Sequence, residues 1–329
     1  MTTLHRARPS TLLIIVTVVA LTLLAACGSS ADRSTSSAVA ARNARPCPTI
    51  AGPDEQQLSA TGAGVSRVQV TLADRNRASV DQDCRVLRTQ VRFPTSRTHA
   101  LPLIVVAHGR DGDPSALAPL LDAWARAGYV VAAPKLPTTP KDERGNSVRE
   151  ESAEQARDLS FVVTELLHRD ASSASSSIHG LINPTKIGAA GMSLGGLAIY
   201  GLISNTCCRD RRIDAAILMA AVRRQFPGEQ YEPNHAPVFL VQGDADPGYH
   251  NSVEGYPELA PPKWFLTLHG SGHAPPFEVP PGPNAPLAYR STTLFWDRYL
   301  GGNRAAGGQI VKAVEASNGR GTLQHDPGP

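Results

Sequence analysis

The sequence predicts an α/β protein with a mainly parallel central sheet covered by helices on both faces. Short runs of apolar residues alternate along the chain with longer stretches whose apolar residues recur at helical spacing. The short runs are apolar at nearly every position, which is typical of strands buried on both faces of a parallel sheet. Strands that alternate with helices in this way need crossover connections, and the crossovers place helices over the sheet.

The strands are predicted in two groups. Two extended segments at 66–72 and 84–93 come first, and we expect them to be antiparallel at the edge of the sheet. The remaining strands are predicted at 101–109, 129–134, 186–192, 213–221, 238–243 and 264–268.

Four segments have the apolar spacing of helices, at 114–128, 151–168, 194–204 and 287–300. Gly128 ends the first of them, as glycine often does after a helix. The chain has no internal repeat, so we expect one domain over 47–303 and a partly disordered tail over 304–329.

The N-terminus has the pattern of a secretory signal over 1–26. Basic residues precede an apolar run from Leu12 to Ala26, which is too short for a bilayer span. The run ends in Leu-Ala-Ala-Cys27-Gly, which resembles the bacterial lipobox, in which the cysteine after the cut receives a lipid. The alternative is an ordinary cleavage site beside an unrelated cysteine. We expect an exported protein anchored through Cys27 to the outer face of the bacterial membrane, with a flexible tether over 27–46.

Charge does not indicate a nucleic-acid partner. The chain has 32 Lys and Arg against 29 Asp and Glu, a net charge of +3, without a long basic run. A small cluster of Arg209, Arg211 and Arg212 is interpreted as a solvated helix end. We therefore expect no nucleic-acid partner. We also expect a monomer that binds a small-molecule or polymeric substrate.

Four cysteines remain when Cys27 is set aside, and an even number in an exported chain indicates disulfides. We expect a bridge between Cys47 and Cys84. The other two, Cys207 and Cys208, are neighbours, and their Cα atoms are about 3.8 Å apart where a relaxed bridge needs at least about 4.4 Å. No Cys or His spacing matches a zinc site, and we expect neither a metal nor a cofactor.

The segment Gly191-Met-Ser193-Leu-Gly195 lies between a predicted strand and a predicted helix. A tight turn flanked by glycines can hold a serine in a strained, exposed position. A helix that begins just after the serine points its free N–H groups at the hydroxyl. This context favours a nucleophile elbow over an ordinary glycine-rich turn.

A serine hydroxyl needs a base, and the base needs an acid to orient it. His273 follows the last predicted strand in a glycine-flanked loop and is preferred as the base over His269, which ends the strand itself. Asp246 is preferred as the acid over Asp244, which directly follows a strand and is expected to cap the turn.

An oxyanion hole is expected from the backbone N–H groups of Leu194, which follows the serine, and of Arg110, in the loop after the strand at 101–109. His108 in the same loop is interpreted as a structural residue that shapes the turn.

The elbow, together with "VVAHGRDG", "GDADP" and "GSGH", resembles the α/β-hydrolase fold. The stretch "QARDLSFVVTELL…INPTKIGAAGMSLGG" followed by "RIDAAILMAA" resembles the branch of dienelactone hydrolases, platelet-activating-factor acetylhydrolases and cutinase-like polyesterases. The resemblance covers about residues 67–300. Met192 stands where this branch often has His or Trp, and we expect it to change only the wall under the serine.

The resemblance implies a serine hydrolase. In this fold a lipid-covering lid enters after the sixth strand, where only residues 222–236 are available, too few for a cap domain. A polar segment at 138–149 could form a small rim. We expect an open cleft and an esterase for short or medium acyl chains. The alternatives are an acyl transferase or peptidase of the cell envelope, and a non-catalytic ligand-binding lipoprotein.

Overall fold

A ten-stranded sheet organises the fold, with the strand order β1-β2-β3-β5-β4-β6-β7-β8-β9-β10. A computed structural model of the chain describes residues 45–48, 55–59, 64–79, 82–137, 149–221 and 230–328. The strands from β5 through β4 to β9 pair in parallel, whereas β1, β2 and β3 at one side and β10 at the other pair antiparallel. The α/β class with a mostly parallel sheet is thus confirmed.

The strands are β1 (Glu55–Gln57), β2 (Val65–Asp74), β3 (Arg85–Pro94), β4 (Leu101–Ala107), β5 (Val130–Lys135), β6 (Ile182–Met192), β7 (Ala215–Met219), β8 (Val238–Gly243), β9 (Lys263–Leu268) and β10 (Gly321–Asp326). The helices are α1 (Ala118–Arg126), α2 (Arg149–Ser172), α3 (Leu194–Ser204), α4 (Tyr249–Gly255), α5 (Ala285–Tyr299) and α6 (Ala306–Glu315). Short 3₁₀ turns at Pro114–Leu117 and Tyr256–Glu258 precede α1 and follow α4, respectively.

Helices cover both faces of the sheet. Successive residues of a strand point to opposite faces, so Val105 belongs to one hydrophobic cluster and Val106 to the other. Buried residues of α2 and α3 complete the first cluster, and those of α1, α5 and α6 complete the second. This is why the central strands are apolar at nearly every position.

The expected antiparallel segments at the edge are confirmed as β2 and β3, which pair over their full length from Val65–Pro94 to Asp74–Arg85. The parallel strands are found within a few residues of the predicted bounds, and the helix predicted at 194–204 matches α3.

The tail after residue 303 differs from the expectation of partial disorder. Helix α6 buries Ala306, Ile310 and Val314 in the second cluster, and β10 pairs antiparallel with β9. The sequence signals of both elements are weak. Two glycines near the start of α6 lower its helix propensity. Strand β10 is mostly polar and mostly exposed, as is common for the last strand of a sheet. The tail is therefore part of the domain, whose compact unit extends from Ala44 to Pro329.

Both cysteine pairs are positioned for disulfides. Cys47 and Cys84 have a Cα–Cα distance of 5.3 Å, within the usual range, as we expected. Cys207 and Cys208 are also paired, at a Cα–Cα distance of 3.8 Å, although that short distance was our reason for disfavouring the bridge.

Several sequence-based expectations lie outside the described residues. They concern the signal segment 1–26, Cys27 and the tether up to residue 44, most of the rim segment at 138–149, and residues 222–229 of the connection after β7. Within the part of the chain that the structure does describe, none of the helices is both long enough and apolar enough to cross a membrane.

Candidate active site

Ser193 lies at the junction of β6 and α3 in a conformation that is rare for a residue with a side chain. Its φ is 55° and its ψ is −117°, in the region that otherwise favours glycine. Its backbone is held on both sides, because its N–H donates to the Met219 carbonyl at 2.9 Å and its carbonyl accepts from the Leu197 N–H at 3.2 Å. Such strain persists only where the surroundings enforce it, and it is concentrated at functional sites.

The glycines around Ser193 allow close backbone contacts. A Cβ atom added at Gly191 would lie 2.3 Å from the Gly195 carbonyl oxygen. One added at Gly195 would lie 2.5 Å from the carbonyl oxygens of both Ala107 and His108. Neither distance is sterically possible, so the end of β6, the start of α3 and the end of β4 meet here only because these residues lack side chains.

His273 and Asp246 form a hydrogen-bonded pair. The Nδ1 atom of His273 lies 2.7 Å from Oδ2 of Asp246, and the other carboxylate oxygen accepts the Gly248 N–H at 2.7 Å. The Asp246 side chain is 1% exposed and the imidazole 44% exposed. The carboxylate is therefore fixed and desolvated, and among the described residues Nε2 of the imidazole has no hydrogen-bond partner, so it can accept one in the cleft.

The two alternatives from the sequence pair with each other instead. His269 Nδ1 lies 2.8 Å from Oδ2 of Asp244, and its Nε2 lies 2.7 Å from the hydroxyl of Thr322 on β10. Asp244 also accepts the Gly270 N–H at 2.7 Å, so it stabilises the turn after β9, and the hydrogen bond from His269 lowers the pKa of Asp244. The pair of Asp244 and His269 therefore ties β10 to the loops that follow β8 and β9.

The predicted residues meet at a cleft of about 670 Å³. Ser193, Asp246 and His273 all line it, together with Arg110 and Leu194, whereas Asp244 and His269 do not. The other lining residues are Gly109, Met192, Leu197, Ala220, Pro247, Gly248, Asn251, Ala274 and Glu278. Loops from the carboxyl ends of β4, β6, β8 and β9 thus meet at one edge of the sheet, which is the usual place for ligands in α/β proteins.

The expected oxyanion donors lie on the side of the cleft where β4 ends. Leu194 is the first residue of α3, and the first N–H groups of a helix have no acceptor within the helix. The loop after β4 turns sharply, with the Gly112 N–H donating to the Gly109 carbonyl at 3.1 Å. A Cβ added at Gly109 would contact Sδ of Met192 at 3.2 Å and Cβ of Ser193 at 3.5 Å. Gly109 therefore packs directly against the serine, a contact that the sequence did not reveal.

His108 has the structural position that we expected. It is 6% exposed, its Nδ1 lies 2.7 Å from the Gly109 carbonyl, and its Nε2 accepts the Leu136 N–H at 3.0 Å. These contacts need a neutral ring with its proton on Nδ1. Burial lowers the pKa of His108, and the Gly109 carbonyl opposes that effect only in part. His108 thereby supports the loop that carries Gly109 and Arg110.

Asn284 is a supporting residue that the sequence did not identify. It is 5% exposed, and its Nδ2 donates to the His269 carbonyl and to the Ser271 hydroxyl, both at 2.7 Å. The Ser271 carbonyl in turn accepts the Ala245 N–H at 3.0 Å. These contacts join the loop of His273 to the loop of Asp246, but no local sequence pattern marks them.

The site can support nucleophilic catalysis by Ser193, since a base held by a buried carboxylate and two candidate oxyanion donors share its cleft. Among the described residues, no group of three or more His, Cys, Asp or Glu side chains could hold a metal ion. Comparison of the chain with protein-family models finds no match, and a search of curated proteins finds no relative.

Proposed function

We propose that this chain is a serine hydrolase of the α/β-hydrolase fold that cleaves carboxylic esters with short or medium acyl chains. The observation that carries the proposal is that Ser193, at a positive φ, lines the same cleft as His273, whose imidazole is hydrogen-bonded to the buried Asp246 carboxylate. The chain order Ser, Asp, His and the strand–serine–helix context also agree with a nucleophile elbow.

In the proposed reaction, Nε2 of His273 accepts the proton of the Ser193 hydroxyl as Oγ attacks the ester carbonyl. The negative charge on the carbonyl oxygen is stabilised by the N–H groups of Leu194 and Arg110. His273 then gives its proton to the leaving alcohol, and an acyl group remains on Ser193. A water molecule, activated by the same histidine, releases the acid. Asp246 keeps the proton of the resting imidazole on Nδ1 and stabilises the imidazolium.

The proposed chain-length range follows from the shape of the cleft. Apolar side chains of Met192, Leu194 and Leu197 lie beside polar ones from Asn251 and Glu278, so the lining is not a continuous apolar tunnel. The connection from β7 to β8 covers only residues 220–237, which is short for a cap domain. Each further CH₂ in a closed tunnel would contribute about 0.8 kcal/mol, and we expect this gain to stop at medium chains.

The proposal is tested with a fluorophosphonate probe and a series of p-nitrophenyl esters from acetate to palmitate. We expect the probe to label Ser193, hydrolysis to level off at short or medium chains, and Ser193→Ala to abolish both reactions. The exposed Ser175→Ala is the matched control and should retain them. Absence of labelling at every pH would instead favour a non-catalytic ligand-binding protein. Transfer to added alcohols or amines in preference to water would favour an acyl transferase.

We also propose that the enzyme is exported and held at the outer face of the membrane by a lipid on Cys27. The sequence before Cys27 supports this, and two cysteine pairs in disulfide positions suit an oxidising compartment. Cys27→Ser should release the protein from the membrane fraction or leave the precursor uncut. If the wild-type chain shows neither lipid labelling nor globomycin-sensitive processing, the anchor proposal is wrong.

A further inference from the structure

Glu278 places a second carboxylate in the cleft, and the proposed reaction does not use it. It lines the cleft together with Ser193 and His273 and is only partly exposed. Asp246 is hydrogen-bonded by the imidazole and by a backbone N–H, whereas no described residue donates a hydrogen bond to the Glu278 carboxylate. Within the described part of the chain, Glu278 is therefore a carboxylate that receives no hydrogen bond, in the cleft that Ser193 also lines.

The position of Glu278 is set by a rigid turn. The N–H groups of Phe277 and Glu278 both donate to the Ala274 carbonyl at 2.9 Å, and the Val279 N–H donates to the Ala116 carbonyl at 2.9 Å. Phe277 is completely buried and holds the turn in the hydrophobic core. The Glu278 side chain therefore starts from a fixed backbone position at the cleft.

The surroundings of Glu278 disfavour its charge. Burial raises the pKa of this carboxyl, and the smaller, opposing influence comes from the His273 side chain. A partly desolvated carboxylate is stabilised more by a positive ligand than a fully exposed carboxylate is, because water screens the pair less. A neutral ligand without a hydrogen-bond donor does not provide this stabilisation.

Arg110 is the other charged side chain in the cleft that the mechanism does not use. It is exposed, so water already solvates its guanidinium, and an anionic ligand would gain less from it than a cation gains from Glu278. The electrostatic balance of the cleft therefore favours a cationic group over an anionic one.

We propose that Glu278 makes the cleft selective for esters that carry an ammonium group near the scissile bond. The inference rests on the proposed serine hydrolase function and names a substrate class for it.

The test compares charged and neutral esters of equal shape. One pair has the charge on the alcohol, 2-(trimethylammonio)ethyl acetate against 3,3-dimethylbutyl acetate. The other has it on the acyl chain, p-nitrophenyl 4-(trimethylammonio)butanoate against p-nitrophenyl 5,5-dimethylhexanoate. We expect kcat/KM to favour the cationic member of at least one pair by about tenfold at low salt, and less at high salt.

Glu278→Gln should remove that preference, so that the ratio of the two kcat/KM values approaches one. Glu315→Gln removes the same charge at an exposed position on α6 and should leave the ratio unchanged. The inference is overturned if both wild-type ratios are at or below one, or if Glu278→Gln leaves the ratio intact. It is also overturned if Glu278→Gln slows both members of a pair equally, because Glu278 would then act through His273.

A neutral fluorophosphonate separates these failures from a failure of the proposed function. If the probe labels Ser193 but no cationic preference exists, only the substrate class is wrong. If the probe does not label Ser193, the hydrolase proposal fails, and the inference about Glu278 fails with it.

Discussion

Asp246 and His273 form the more buried of two neighbouring Asp–His pairs, with 2.7 Å between Oδ2 and Nδ1 and a carboxylate that is 1% exposed. The pair of Asp244 and His269 has a similar separation of 2.8 Å, but both of its members are partly exposed, at 33% and 42%. Hydrogen-bond geometry alone does not distinguish the pairs. Burial of the carboxylate does, because an acid orients and stabilises an imidazolium best away from water.

The first prediction compares the two aspartates. Asp246→Asn should lower kcat for a p-nitrophenyl ester by about 10⁴-fold, because the amide no longer holds the imidazole in the tautomer that accepts the serine proton. Asp244→Asn should retain most of the activity and lower the free energy of unfolding, since it weakens only the turn and the contact with β10. A larger loss of activity in Asp244→Asn than in Asp246→Asn would contradict our assignment of the acid.

The second prediction concerns the backbone around the serine. Gly195→Ala should reduce the free energy of unfolding by about 1–3 kcal/mol or more, because its Cβ would lie 2.5 Å from two carbonyl oxygens. Gly308→Ala on α6 is the control, as a Cβ there meets nothing within 4 Å and alanine favours a helix. Urea unfolding of both variants measures the difference. Equal stability of Gly195→Ala and the wild type would show that these backbones are not in close contact.

The sequence was sufficient to predict the central strands and the position of Ser193 between a strand and a helix, because those signals are local. An apolar run, a glycine-flanked serine and a following helical pattern are contiguous between Lys186 and Ser204, and the structure has a strand, a turn and a helix there. Conversely, β10 is held by pairing with β9, which is distant in the chain, and α6 is held by burying apolar residues in the second cluster. The residues of both elements carry weak signals of their own.

The difference between local signals and contacts distant in the chain also decides which cleft residues the sequence can predict. His273 was found because it follows a strand in a glycine-rich loop. Glu278 and Asn284 have no such context, and their positions depend on how the segment after β9 folds back onto the domain. A turn anchored to Ala116 brings Glu278 toward the cleft, and a contact between residues so far apart in sequence leaves no periodic pattern.

The third prediction is a dependence of stability on pH through His108. Burial lowers its pKa below the ordinary 6.5, so the unfolded chain binds a proton more readily than the folded one. The stability from the neutral ring is complete above about pH 6.5 and is lost as the pH falls through the folded-state pKa, by at most about 1.4 kcal/mol per pH unit.

His108→Gln should therefore be less stable than the wild type at pH 8 but should lose less stability between pH 7 and pH 5. His99→Gln changes an exposed histidine and should keep the wild-type dependence. The measurement is the free energy of unfolding in urea at several pH values. Parallel curves for His108→Gln and the wild type would show that the ring does not need to be neutral.

The last prediction concerns the two cysteine pairs. A bridge between Cys47 and Cys84 links residues 37 apart in sequence, so the chain-entropy model gives a stabilisation of about 4 kcal/mol. The pair of Cys207 and Cys208 closes no loop and should contribute little by that mechanism. Because Cys84 is completely buried, replacing it would also perturb the core, and reduction is the cleaner test.

We therefore expect a reductant to destabilise the Cys207→Ser/Cys208→Ser variant almost as much as the wild type, because both retain the bridge between Cys47 and Cys84. A reductant should have little effect on Cys47→Ser/Cys84→Ser. The comparison of each protein with and without reductant cancels the effect of the substitution itself, so the difference reports the bridge alone. If reduction destabilised the Cys47→Ser/Cys84→Ser variant as much as the wild type, the neighbouring pair would supply the stability, and the loop argument would be wrong.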